Sequence, residues 1–194
     1  MRLRFLAAAS TILACGALLS ASAQAPAASS SGAASKPKTA KPATSAKAAD
    51  LTLIDLDGYR KILATYKGKP LVVTFWATWC EPCRDEYPML VQMAKDYAPK
   101  GLAIYGVSLD DDADRNLMGR FLAKNQPTFP NYRQKPGIDV DAFYQGVNPQ
   151  WTGTMPETIF YTRDGRIAIH FEGAQSREAF AAAIQHILST SSGQ

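Results

Sequence analysis

At 194 residues, with 46% hydrophobic and 20% charged residues, the chain has room for one well-buried domain and an appendage. Its formal charge of +4 sits at one end, because six of the 21 basic residues precede Asp50 and no acidic residue does. The remainder, from Asp50 onward, carries 15 basic against 17 acidic residues, about −2, which leaves no basic footprint for nucleic acid in the folded part.

Residues 1–23 start with basic Met1-Arg2-Leu3-Arg4, continue apolar from Phe5 to Leu19 and end in small Ala21-Ser22-Ala23. That order is the pattern of an export signal. A membrane anchor is the alternative, although the stretch is rich in Ala and Ser and only marginally long enough to span. Ile12-Leu13-Ala14-Cys15-Gly16 resembles a bacterial lipobox, in which the cysteine is lipidated; loss of Cys15 with the signal is the other reading. In both cases Cys15 leaves the redox count. Residues 24–49 are Ala, Ser, Pro and Lys with no aromatic residue, so they cannot bury a core. The expectation is a disordered tether with a reach of about 30 Å, whose lysines allow contact with an anionic membrane.

The domain is expected over residues 50–190. Leu51 to Leu56 alternate apolar and polar before a turn signal at Asp57-Gly58, which predicts a strand entering a hairpin. The almost unbroken apolar run Leu71–Trp76 predicts a central strand covered on both faces. A helix should follow from the next cysteines to about Tyr97, with Pro82 in its first turn and Pro88 inside it. Residues 101–108 read as a second buried strand, and Asp110 to Asp114 as acidic capping for a helix to about Asn125. Four prolines make residues 126–153 hard to assign beyond a short helix near Asp139–Gln145. Thr158–Thr162 and Arg166–Glu172 flank the hairpin turn Arg163-Asp164-Gly165, and Ser176 caps a last helix carrying Phe180, Ile184, Ile187 and Leu188. The sum is an α/β layer fold: a central mixed sheet flanked by helices, with an N-terminal strand and hairpin extension.

The chemistry concentrates in Trp79-Cys80-Glu81-Pro82-Cys83 at a strand-to-helix junction. Two cysteines at this spacing can close a disulfide within one helical turn. A helix N-terminus offers unpaired N–H groups and partial positive charge, which favours a thiolate at the first cysteine. A structural zinc needs four ligands, and Cys80, Cys83, His170 and His186 come without a second paired-cysteine motif. A purely structural disulfide across four residues gains little chain entropy.

Asp55-Leu56-Asp57-Gly58, Gly68-Lys69-Pro70, Phe75 through Arg84, Glu86 with Pro88, and Met155-Pro156-Glu157-Thr158 before Asp164-Gly165-Arg166 together resemble the thioredoxin fold. More narrowly they resemble the TlpA/ResA group of exported thioredoxin-like proteins, over nearly all of residues 51–190. The resemblance implies a thiol–disulfide oxidoreductase with no cofactor beyond a redox-active Cys80–Cys83 pair. Cys80 is then the exposed nucleophile and Cys83 the buried resolving thiol. Glu81 and Pro82 tune the couple, with proline stiffening the turn and the carboxylate opposing thiolate charge. Glu86 handles the proton, since Thr74 stands where thioredoxin has a buried aspartate. Pro156 is the expected cis-proline; with Met155 and Trp79 it forms the substrate-docking surface.

It further implies protein thiol and disulfide substrates and a membrane thiol-reductase donor. The expected site of action is the bacterial periplasm, with a membrane tether through the N-terminus. The expected role is reduction in cytochrome c maturation or cysteine copper-site assembly. The alternative from another class is a copper metallochaperone, with Cys80 and Cys83 as soft ligands completed by His170 or Met155.

Overall fold

The computed structural model describes residues 51–190, so the expected export signal with Cys15 and the linker of residues 24–49 lie outside the described residues. The first element corrects the sequence reading. A short strand, β1 (Thr52–Ile54), leads into a helix, α1 (Leu56–Thr65), and no hairpin forms there. The Asp55 side chain accepts the Gly58 N–H at 2.9 Å, so Asp57-Gly58 belongs to the first turn of a capped helix. Leu56, Tyr59 and Leu63 recur at helical spacing and pack on the core.

The expected central strand is β2 (Leu71–Trp76), buried at every position. It feeds α2 (Glu81–Tyr97), which contains Pro88, followed by a 3₁₀ turn, β3 (Ala103–Ser108) and α3 (Arg115–Asn125). Residues 126–153 hold a strand that sequence reading missed, β4 (Asn131–Gln134), and α4 (Val140–Val147), capped by Asp139. Two antiparallel strands, β5 (Glu157–Tyr161) and β6 (Ile167–Glu172), and α5 (Arg177–Ser189), capped by Ser176, complete the order.

The six strands form one mixed sheet in the order β1-β4-β3-β2-β5-β6. The first four run parallel, and β5 and β6 are antiparallel to their neighbours. Successive side chains on β2 point to opposite faces and sort the helices into two layers. Phe75 contacts Phe143 of α4 and Tyr59 of α1, while Trp76 contacts Tyr87 of α2 and Phe121 of α3. On that second face Phe160 and Phe171 meet Phe180 of α5.

β4 escaped notice because its burial is polar. Arg133 is buried, donating to the Asp110 carbonyl at 3.3 Å and to the Asp112 carboxylate at 2.6 Å. Asn131 Oδ1 accepts from Trp76 Nε1 at 3.1 Å and from the Tyr87 hydroxyl at 2.9 Å. It does so by lying across Gly106, where a Cβ would overlap Asn131 Oδ1. One glycine thus admits the polar tie between β4, β2 and α2.

Candidate active site

β2 delivers the chain to the sheet's C-terminal edge, and Cys80 becomes the N-cap of α2 with extended backbone (φ −86°, ψ 103°). Its sulfur accepts the Cys83 N–H at 3.2 Å, so the site joins a sulfur to an otherwise unpaired helix-start amide. Cys80 and Cys83 are joined in a disulfide with their Cα atoms 5.3 Å apart. The expected contrast between an exposed and a buried cysteine is small in this oxidised state, with Cys80 6% and Cys83 2% exposed. Trp79 stands out at the surface beside them, Glu81 and Pro82 are exposed in the first turn, and Trp76 is core.

The loop before the cysteines is held by a residue whose role sequence reading misassigned. Asp110, expected as helix capping, is buried under that loop. Its Oδ1 accepts from the Thr78 N–H at 2.8 Å and the Thr78 hydroxyl at 2.6 Å, and its Oδ2 from the Ser108 hydroxyl at 2.7 Å. Neither Asp111 nor Asp114 makes a side-chain cap, so the acidic run does not serve α3 in that way. Arg84 adds a bond to the Thr78 carbonyl at 2.9 Å from the other side. Asp110→Ala strands the Thr78 and Ser108 donors, and should cost about 3 kcal/mol by denaturant unfolding. A loss below about 1 kcal/mol would show that the loop does not depend on this carboxylate.

Glu86 follows Cys83 by three residues on α2, which sets both on one helix face. The Glu86 side chain is buried, and burial pushes its carboxyl from an ordinary 4.5 up to about 7. The Gln175 N–H donates to Glu86 Oε2 at 2.8 Å and pulls the other way, but desolvation wins. The same loop reaches the Met155–Pro156 peptide, which is cis as expected, because the Gly173 N–H donates to the Pro156 carbonyl at 2.8 Å. Residues 173–175 therefore bridge the proline to Glu86. Pro156 is buried and Met155 half-buried, with β5 pairing Glu157 opposite Phe75. The expected set of Trp79, Cys80, Cys83, Glu86, Met155 and Pro156 thus gathers around the end of β2. Thr74 sits beneath it and accepts from the Thr158 hydroxyl at 3.3 Å, a neutral contact.

A second buried acid went unassigned from sequence. Glu157 is fully buried on the α1/α4 face, where Asn148 donates to its Oε1 at 3.1 Å and His170 Nδ1 approaches to 3.3 Å. Burial pushes its carboxyl up to about 7; the Asn148 bond opposes this and the Glu172 charge adds to it. Its signal in the sequence was a charged residue opening an otherwise apolar strand. His170, on β6, brings Nδ1 close to this carboxylate without a hydrogen bond. Among the described residues no three His, Cys, Asp or Glu side chains are grouped to hold a metal ion.

Residues 44–170 match the AhpC/TSA family, a span of well over half the chain. Among curated relatives, a thiol-disulfide oxidoreductase ResA of Bacillus cereus is 26% identical over 141 residues. That alignment covers 73% of this chain and 76% of the relative. The thioredoxin-like protein YneN of Bacillus subtilis (strain 168) is 38% identical over 96 residues, covering 49% of this chain and 56% of that protein. Among solved structures, a thiol:disulfide interchange protein of the thioredoxin family from Chlorobium tepidum shares the fold with a TM-score of 0.55. It is 24% identical and covers 72% of this chain and 98% of that one. With a disulfide capping a helix off the central strand of a mixed sheet, the chain belongs to the AhpC/TSA family. Within that family it is a thiol–disulfide oxidoreductase of thioredoxin fold, of the TlpA/ResA-like kind.

Proposed function

We propose that this oxidoreductase works outside the cytoplasm as a reductant of protein disulfides. Its substrates are cysteine pairs awaiting a metal or haem, either the haem-binding cysteines of an apocytochrome c or the cysteines of a copper site. The observation that carries the reading is the helix-start sulfur of Cys80 on the Cys83 amide, with a buried carboxyl one turn further on. The basic, apolar and small-residue order of residues 1–23 supports export and a periplasmic site of action. A reductant there needs electrons, and a membrane thiol donor is the chemical class that supplies them. Among the described residues no helix is long and apolar enough to cross a membrane.

In the reduced protein the Cys80 thiolate attacks one sulfur of the substrate disulfide. An S–S bond forms to Cys80, and the other substrate sulfur leaves as a thiolate. Cys83, giving its proton to Glu86, then attacks Cys80 Sγ, closes the Cys80–Cys83 disulfide and expels the second substrate thiolate. Two electrons pass to the substrate, and the donor's dithiol restores them. Glu81 and Pro82 tune the pair, while Trp79, Met155 and Pro156 receive the polypeptide, the exposed backbone at Met155 pairing with it as an added strand.

Cys83→Ala removes the resolving thiol, so mixed disulfides through Cys80 should accumulate in the periplasm. Mass spectrometry of the trapped partners should return proteins with metal- or haem-binding cysteine pairs. If no covalent partner accumulates, the mechanism is wrong. If the partners carry only structural disulfides, the substrate class is wrong. The copper-carrier alternative needs a third ligand from His170, whose Nδ1 lies 3.3 Å from Glu157 Oε1, or from Met155, half-buried at the docking proline. Copper bound tightly by the reduced protein, without thiol exchange, would favour it.

A further inference from the structure

Trp79 and Leu117 are the most exposed large hydrophobic side chains among the described residues, at 58% and 47%. Both line one groove of about 410 Å³ running from the cysteine loop along α3, with Phe121 as its floor. Isolated exposed apolar residues need no explanation, but two of them sharing a groove beside a reactive disulfide point to a contact. The groove's charge points to the kind of contact. Arg84, Arg120 and Lys124 border it against a single acid, Asp114, on a folded part whose net charge is about −2. Arg120 and Lys124 are exposed and one helical turn apart, so their charges add along one edge.

Strand order gives the groove a position relative to the docking proline. β3, which leads into α3, and β5, which follows Met155-Pro156, flank β2 on opposite sides. A polypeptide joined to Cys80 therefore extends along Met155-Pro156 on one side and toward the groove on the other. The chain's own N-terminal segment is the wrong occupant, because it carries six basic residues and no acid before Asp50.

We propose that this groove is a specificity subsite for the substrate polypeptide, selecting an arm that carries an apolar side chain together with carboxylates close to the reacting cysteine. The inference rests on the thiol-exchange reading of Cys80 and names which substrates that exchange favours. Trp79, Leu117 and Phe121 take the apolar side chain, and Arg84, Arg120 and Lys124 face the carboxylates. Charge at a rim of this kind acts mainly on the rate of productive encounter and is screened by salt.

The test uses the full reduced protein and two synthetic peptides. Each holds one cysteine, blocked as a mixed disulfide with 2-mercaptoethanol and flanked on both sides by leucine and by two aspartates or two lysines. The readout is the ratio of the two exchange rates, in which any change of intrinsic thiol reactivity cancels. At low salt the aspartate peptide should react about tenfold faster, and the ratio should approach one at about 0.5 M salt. The double variant Arg120→Glu/Lys124→Glu should invert the order. Lys61→Glu/Lys67→Glu, an equal charge change around the end of α1, should keep it.

If both peptides react at rates within about twofold, or if reversal at 120 and 124 leaves the ratio untouched, the subsite is overturned while thiol exchange stands. The subsite is equally overturned if the groove variant changes only self-association in sedimentation, since the occupant is then a second copy. If neither peptide nor the small neutral bis(2-hydroxyethyl) disulfide reacts, the exchange reading itself fails and the subsite with it.

Discussion

Replacing Glu86 by glutamine should slow thiol reduction of the Cys80–Cys83 disulfide at neutral pH by about 100-fold and erase its pH inflection. When a thiolate attacks Cys80 Sγ, the S–S bond breaks and its electron pair leaves on Cys83. A thiolate there, 2% exposed on an apolar helix face, needs a proton, and Glu86 is the acid one turn away. Burial pushes its carboxyl up to about 7, so the carboxyl is protonated below that pH and ionised above it. The acid-assisted step should therefore weaken as pH rises through about 7. The reverse step, in which ionised Glu86 takes the Cys83 proton, should strengthen over the same range. Stopped-flow rates, divided by the thiolate fraction of the reductant, would show the inflection in the wild type and none in Glu86→Gln. The glutamine oxygen still accepts the Gln175 N–H, so the loop to Pro156 stays tied. An inflection surviving in the variant would remove Glu86 from proton transfer.

The oxidised protein should also become less stable as pH rises from about 4.5 to about 7, against the common expectation for a folded domain. Glu86 and Glu157 bind their protons more tightly folded than unfolded. Their stabilisation is fully present below the ordinary value of 4.5 and is lost as pH rises through about 7. Each carboxyl contributes on the order of 3 kcal/mol to that loss. Asp55, Asp96, Asp164 and Glu178 are held below their ordinary values, with the opposite sign, and act only at more acid pH. Glu157→Gln should roughly halve the slope and stabilise the protein at about pH 8. Its amide oxygen can still accept from Asn148. Denaturant midpoints at about pH 5 and 8 measure this, and an unchanged slope in Glu157→Gln would show that Glu157 is ionised throughout.

The two acids differ in how visible they were. Glu86 was legible because helix periodicity alone sets it on the Cys83 face, whatever packs above. Its raised acidity range was not, since that depends on α2 lying against the 173–175 loop. Glu157 was visible only as a charge in an apolar strand, and its partners come from positions 148, 170 and 172. The N-terminal hairpin failed for a related reason. Asp57-Gly58 satisfies a local turn rule, but the Asp55 cap and the apolar face of α1 favour a helix, and β1 finds a parallel partner 80 residues away, at Thr52 opposite Tyr132.

By itself the sequence determined what depends on short-range order. It set the apolar run of β2, the helix start that Cys80 caps, the β5–β6 turn and the capped last helix. Spacing and local hydrogen bonding suffice for these. Tertiary structure alone decided what depends on distant segments meeting. It turned an acidic run into the Asp110 anchor of the cysteine loop, slotted a polar strand between β1 and β3, and buried two carboxyls deeply enough to hold protons near neutrality. Desolvation and long-range hydrogen bonding set those properties, and neither is written in any one stretch of chain.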